Sequence, residues 1–188
     1  MSQQRLLNRV LDVLEGIRVD YMLTGSWASS MQGQPRSTHD LDLVVNLTPR
    51  EIPGLVAGFA PAEYYLSEAS VAEAVRDRTM FNLLDTRWGD KVDFWMLTGE
   101  PWDAARFGRR MGVIVEGREI WVSSPEDTIL AKLRWSKLTG GSARQFQDAR
   151  EVCELQWDVL DLAYLQHWSR SLEVETDWRR LVASLGKE

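Results

Sequence analysis

Apolar residues return at helical spacing from the first turns of the chain. Leu6, Leu7, Val10, Leu11, Val13 and Leu14 fall on one side of a 3.6-residue period, and Gly16 closes the run. The pattern then shortens: 21–24 predicts a strand, 26–32 a helix, and 41–46 a second strand. Thr48-Pro49-Arg50-Glu51 predicts a helix start, with Thr48 as cap and Pro49 in the first helical position. A helix over 67–78, two strands over 80–84 and 91–97 joined around Trp88-Gly89-Asp90, and a strand over 119–122 follow. From Ser124 the character changes. Ser124-Pro125-Glu126-Asp127 sets a capping serine, a proline and two acidic residues where a helix N-terminus favours them. That helix runs to about Leu138 and stops at Gly140-Gly141. Ser142 caps the next, with Gln145 at the capping-box position. Two amphipathic helices close the chain, one carrying Leu162, Leu165 and Leu172, the other Val174, Trp178, Leu181, Val182 and Leu185. The expected fold class is therefore α/β (α+β), with a mixed half over 1–122 and a helical half over 123–188. The join has no flexible linker, so the halves are expected to pack as one body around a cleft.

Composition narrows the class. No apolar run approaches the roughly 20 residues that span a bilayer, and the N-terminus has no signal-peptide core, so a cytoplasmic protein is expected, with no membrane partner. The single cysteine, Cys153, excludes an internal disulfide, and its setting beside Val152 and Leu155 predicts a buried thiol without a catalytic role. A net charge of −6 argues against broad, non-specific nucleic-acid binding. It leaves room for a local basic groove from Arg106, Arg109, Arg110 and Arg118, and from Lys132, Arg134, Lys137 and Arg144. Trp27, Trp95, Trp121 and Trp135 lie in apolar patterns and are expected in the core rather than as base-stacking platforms.

The chemistry concentrates in Leu23 to Val45. Gly25-Ser26 opens a short helix, a polar loop runs from Gly33 to His39, and Asp40-Leu41-Asp42 leads into an apolar strand. Alternate strand residues share a face, so Asp40 and Asp42 point one way while Leu41 and Leu43 point into a core. Adjacent carboxylates repel unless a cation lies between them, and hard oxygen ligands suit Mg²⁺. The Gly-Ser turn before a helix offers backbone N–H groups and a hydroxyl to a phosphate. In 91–96 the residues Val92, Phe94 and Met96 share a face and Asp93 takes the other. If that strand neighbours 41–46, Asp93 joins Asp40 and Asp42, and three carboxylates can hold two Mg²⁺ ions.

These residues resemble the nucleotidyltransferase superfamily, the polymerase-beta-like fold: Gly25-Ser26, then Asp40-Leu41-Asp42, then Asp93 among apolar neighbours. The fuller pattern adds Ala28, Gly33, Arg36 and Thr38, and with Ser124-Pro125-Glu126-Asp127, Lys132-Leu133 and Asp148 it is similar to the branch of abortive-infection nucleotidyltransferase toxins. Gly25-Ser26-Trp27-Ala28 also resembles aminoglycoside and lincosamide nucleotidyltransferases, in which a glycine pair precedes Trp. The small antitoxin-type nucleotidyltransferases share Gly-Ser but have a shorter gap to the Asp pair.

The resemblance implies a small mixed sheet flanked by helices with a C-terminal helical half, the nucleotidyltransferase fold. It implies an enzyme that moves a nucleoside monophosphate from an NTP to an acceptor hydroxyl and releases pyrophosphate, with two Mg²⁺ ions as cofactors. Asp40, Asp42 and Asp93 would bind metal, and Asp93 would also take the acceptor proton. Gly25 and Ser26 would approach the triphosphate. Lys132 either neutralises phosphate or lies on the surface. Arg36 either contacts phosphate or braces the loop, and Asp148 either orients Lys132 or the nucleobase, or pairs with Arg144. The expected acceptor is RNA or protein, with an antitoxin-like partner. Antibiotic modification is the second enzymatic reading, and a catalytically idle regulator that keeps the fold is the rival of another class.

Overall fold

The computed structural model describes residues 2–36, 38 and 40–187. Ser37 and His39, the last part of the polar loop read from the sequence, lie outside the described residues. The chain divides into two compact units, one of Met1–Thr24 with Thr38–Val122, the other of Gly25–Ser37 with Ser123–Glu188. The segment Gly25–Ser37, placed with the α/β half from sequence, belongs to the helical unit.

The first unit holds α1 (Ser2–Gly16), β1 (Tyr21–Thr24), β2 (Asp40–Val45), β3 (Tyr64–Tyr65), β4 (Met80–Asp85), β5 (Lys91–Met96), β6 (Met111–Val115) and β7 (Arg118–Val122). The strands form one mixed sheet in the order β3-β4-β5-β2-β1-β7-β6. Its centre is parallel: β2 runs beside β5 with Leu41 next to Val92, Asp42 next to Asp93 and Leu43 next to Phe94. The antiparallel neighbours extend these rows, Asn82 beside Asp93 on β4 and Thr24 beside Asp42 on β1. One face is apolar. Leu41, Leu43, Leu83, Val92 and Phe94 are buried, and Phe81 stacks on Phe94 with ring centres 4.8 Å apart. The other face is divided. At one end Met22 and Val44 pack with Phe107 and Trp95, where Phe107 comes from the helix Pro101–Gly108. At the other end the same face carries the aspartates.

Two of the differences from the pattern-based expectation have local causes. The helix after β2 spans Ile52–Ala57 rather than starting at Pro49. A helix begun at Pro49 would place Pro53 in its interior, where its missing N–H and its ring break the ladder. Starting at Ile52 puts Pro53 in the tolerated first turn. Thr48 instead closes a turn, its N–H donating to Glu51 Oε2 at 2.9 Å. The hairpin β6–β7 is the second difference. Glu116 and Gly117 both have positive φ, 49° and 83°, the pairing a two-residue type I′ turn requires. Without the expected Asn-Gly or Asp-Gly signal, the strand before it is hidden in the sequence.

The helical unit contains α2 (Gly25–Gln32), then Pro125–Leu138, Ala143–Gln156, a 3₁₀ turn over Trp157–Val159, Leu162–Ser171 and Glu175–Ser184. Ser124 and Ser142 cap as their sequence setting predicts, accepting from the N–H groups of Asp127 and Gln145. Cys153 is fully buried on the helix Ala143–Gln156, and burial pushes its thiol up to about 12, an inert state. Among the described residues no helix is long and apolar enough to cross a membrane. At the end of α2, Gly33 lies against this same helix: an added Cβ would stand 2.9 Å from the Ser29 carbonyl oxygen and 3.1 Å from the Val152 nitrogen. Both are backbone atoms and cannot turn aside. Gly33→Ala is therefore expected to destabilise the protein by about 1–3 kcal/mol, seen as a lower urea midpoint, and an unchanged midpoint would show that α2 moves freely.

Candidate active site

In the first unit the carboxylates stand where strand alternation puts them. Asp42 and Asp93 are lateral neighbours across β2–β5, and such strands lie about 4.8 Å apart. Asp40 is two residues earlier on β2, so it shares the face, and its lateral neighbour is Lys91. Asp93 is only 8% exposed. One of its oxygens, Oδ1, is buried with no hydrogen-bond partner among the described residues. The other, Oδ2, lies 2.8 Å from the Lys91 ammonium, which is also 3.9 Å from Asp40 Oδ1. The hydrogen bond to Asp93, with the nearby charges of Asp93, Asp40 and Asp42, holds the Lys91 ammonium above the usual lysine range. The indole N–H of Trp95 donates to Asp42 Oδ1 at 3.3 Å.

The donor chemistry fits a divalent cation: hard carboxylate oxygens share one sheet face, and a buried oxygen has an unused lone pair. Among the described residues, no three or more His, Cys, Asp or Glu side chains are gathered closely enough to hold a metal ion by themselves. Lys91, among the described residues, places a cation beside Asp93 and Asp40. Lys91 was not singled out in the sequence and Trp95 was read only as a core ring, although both lie two residues from Asp93 and thus on its face.

In the helical unit, the other predicted residues come together. Gly25, with φ of 65°, makes the turn that a side chain would strain. Ser26 Oγ accepts from Arg36 Nη2 at 2.9 Å and from Lys132 Nζ at 3.5 Å. Arg36 grips Asp148 with two nitrogens, Nε to Oδ1 at 3.1 Å and Nη2 to Oδ2 at 2.8 Å. Lys132 Nζ reaches Asp148 Oδ2 at 2.7 Å. Lys132 is buried, and Asp148 joins it to Arg36. Two cations around one carboxylate leave a positive balance at the Gly25–Ser26 turn. Because Ser26 Oγ accepts from cations that can only donate, its own O–H is available to donate outward.

Several of the basic residues read as a groove are matched by acids. Arg106 pairs with Asp103, Arg110 with Asp20, Arg118 with Asp12 and Glu15, and Lys137 with Glu173. Arg110 also lies over the rings of Phe107 and Trp121. These are braces of the surface, and they offer little uncompensated charge to a polyanion.

Burial raises the Asp148 carboxyl, but hydrogen bonds from Arg36 and Lys132 outweigh it and hold the group below the usual carboxylate range. A lowered folded value means stability that is present above the ordinary carboxylate range and lost as pH falls through the folded value. Asp148→Asn should cost about 3 kcal/mol or more at neutral pH and flatten the acid limb of stability against pH. Urea midpoints between pH 7 and pH 2 measure both; parallel curves for the two proteins would refute the linkage.

Comparisons with known proteins agree with the fold. A family model described as aminoglycoside-2''-adenylyltransferase matches residues 6–54, the stretch that holds Gly25-Ser26 and Asp40-Leu41-Asp42. No curated protein matches the chain in sequence. In structure the chain is similar to ANT(2")-Ia in complex with adenylyl-2"-tobramycin, at 14% identity and a TM-score of 0.61, over 92% of this chain and 98% of that one. It is similar to an antigenic nucleotidyltransferase-like protein from Paracoccidioides brasiliensis, at 20% identity and a TM-score of 0.61, over 94% and 85%. A third is the lincosamide antibiotic adenylyltransferase LnuA, lincomycin-bound, at 15% identity and a TM-score of 0.50, over 78% and 93%. The chain has the nucleotidyltransferase fold, and its likenesses in sequence and in structure fall within the nucleotidyltransferase superfamily.

Proposed function

We propose that this protein is a nucleotidyltransferase that moves a nucleoside monophosphate from an NTP to the hydroxyl of a small antibiotic-type acceptor. The observation that carries the reading is the aspartate face of the sheet. Asp42 and Asp93 are held side by side by the β2–β5 register, Asp40 shares their face, and Asp93 keeps a buried oxygen without a partner. Like charges arranged in this way weaken a fold unless a cation is used there. Asp40, Asp42 and Asp93 would hold divalent ions, with Mg²⁺ the natural choice for oxygen donors and a triphosphate. A metal bound there would supply Lewis-acid stabilisation of the phosphoryl oxygens. Asp93 takes the proton of the acceptor hydroxyl. Gly25 lets the backbone approach the phosphates, Ser26 donates its O–H to a phosphate oxygen, and Arg36 and Lys132, set by Asp148, supply positive charge.

The choice of acceptor rests on two supports. The matched family model is of an aminoglycoside adenylyltransferase, and two of the structural neighbours act on or hold antibiotics by their descriptions. Of the basic groups that would favour RNA, Arg106, Arg110, Arg118 and Lys137 are paired with acids. ATP is the first donor to test.

The experiment incubates the protein with Mg²⁺ and each labelled NTP against aminoglycosides, lincosamides and total tRNA at matched salt. The expected result is a labelled antibiotic with release of pyrophosphate. Asp42→Asn should lower the rate at least about a hundredfold without changing the thermal midpoint downward, since it relieves repulsion. Label found only on RNA or on protein would replace the acceptor while keeping the chemistry, and full activity in Asp42→Asn would end the reading.

A further inference from the structure

Lys91 is placed by the same register that places the aspartates. It is the lateral neighbour of Asp40 and stands two residues before Asp93 on β5, so its side chain rises on the carboxylate face. Its ammonium lies 2.8 Å from Asp93 Oδ2 and 3.9 Å from Asp40 Oδ1. The side chain is 38% exposed, so the head can leave toward water while the stem stays on the sheet. The second oxygen of Asp93 is buried and without a partner among the described residues. One carboxylate therefore gives one oxygen to a lysine and keeps the other unused.

We propose that the Lys91 ammonium is a resident cation of the aspartate face, holding the place of one of two divalent ions, so that the free protein takes a single ion while Lys91 is seated. The inference rests on the metal-binding reading above. Charge balance supports it: one ammonium and one divalent ion neutralise three carboxylates, and a second divalent ion adds charge that only an arriving triphosphate offsets. A cation a few ångströms from the vacated ligand opposes a second one strongly at the effective dielectric of a protein surface. Lys91 thus links the second ion to the nucleotide: the phosphates that bring charge to the site also give the ammonium somewhere to go. It is a positioning residue, since it acts by setting which cation Asp93 holds.

The test is Mn²⁺ binding to the free protein, counted from the electron paramagnetic resonance of unbound Mn²⁺, in the wild type, Lys91→Met, Lys91→Arg and Asp42→Asn. The wild type should bind one ion. Lys91→Met keeps the stem and removes the charge, and it should bind two, or bind the second at least about tenfold more tightly. Lys91→Arg keeps the charge and should follow the wild type. Two equivalent ions in the wild type, or the same isotherm for wild type and Lys91→Met, would overturn the proposal. The wild-type count stands even if a variant folds poorly. Failure of the metal reading looks different: Asp42→Asn would then bind as much Mn²⁺ as the wild type. If Asp42→Asn loses its ion while Lys91→Met is unchanged, only the role of Lys91 falls.

Discussion

The parallel register of β2 on β5 is the constraint on which the candidate site depends. It seats Leu41 beside Val92 and Leu43 beside Phe94 on the apolar face, and all four are fully buried. A side chain of that kind contributes about 1.5–3 kcal/mol when buried. Strand side chains alternate, so a slip of one residue would turn these four outward and the aspartates inward. The core thus enforces the juxtaposition of Asp42 and Asp93 against their mutual repulsion. Lys91 and the indole of Trp95 reduce that repulsion from the same face. On this sheet, the packing of one side fixes the electrostatics of the other.

The helical unit solves a different problem, the orientation of one hydroxyl. Arg36, Lys132 and Asp148 come from a loop and two helices, and they meet at Ser26. Neither cation can accept a hydrogen bond, so the network has a direction. The buried carboxylate of Asp148 keeps the two cations close without cancelling both. Removing it would leave buried charge unpaired, the costly half of a broken ion pair.

The legible parts of the sequence were those with local signals. Ser124-Pro125 and Ser142 announced helix starts, the alternation in Asp40 to Leu43 announced a face, and Gly25-Ser26 with the three aspartates carried the superfamily pattern. Other parts depended on distant partners. The helix Pro101–Gly108 is short, and its role is to cover Met22 and Val44 through Phe107. The two-residue β3 exists because Tyr64 and Tyr65 pair with Asp85 and Leu84. Pro49 looked like a helix start until Pro53 is counted, which decides the boundary. Lys91 carries no local signal at the start of β5, and only its neighbour across the sheet shows what it touches. The basic stretches were visible, but their acidic partners, such as Asp12 and Glu15 for Arg118, are far away in sequence.

The division of the chain into units bears on how the protein is made. Gly25–Ser37 belongs with residues that begin at Ser123, and the whole of Thr38–Val122 lies between them. On a ribosome adding about 5–20 residues per second, α2 would emerge roughly ten seconds before the helices it packs on. During that interval Ala28, buried to 0% exposure in the finished protein, would be in water. The segment that carries Ser26 and Arg36 is therefore among the first to be synthesised and among the last to be settled. The nascent chain can close its sheet early, but its Gly25–Ser26 turn has to wait for the C-terminus.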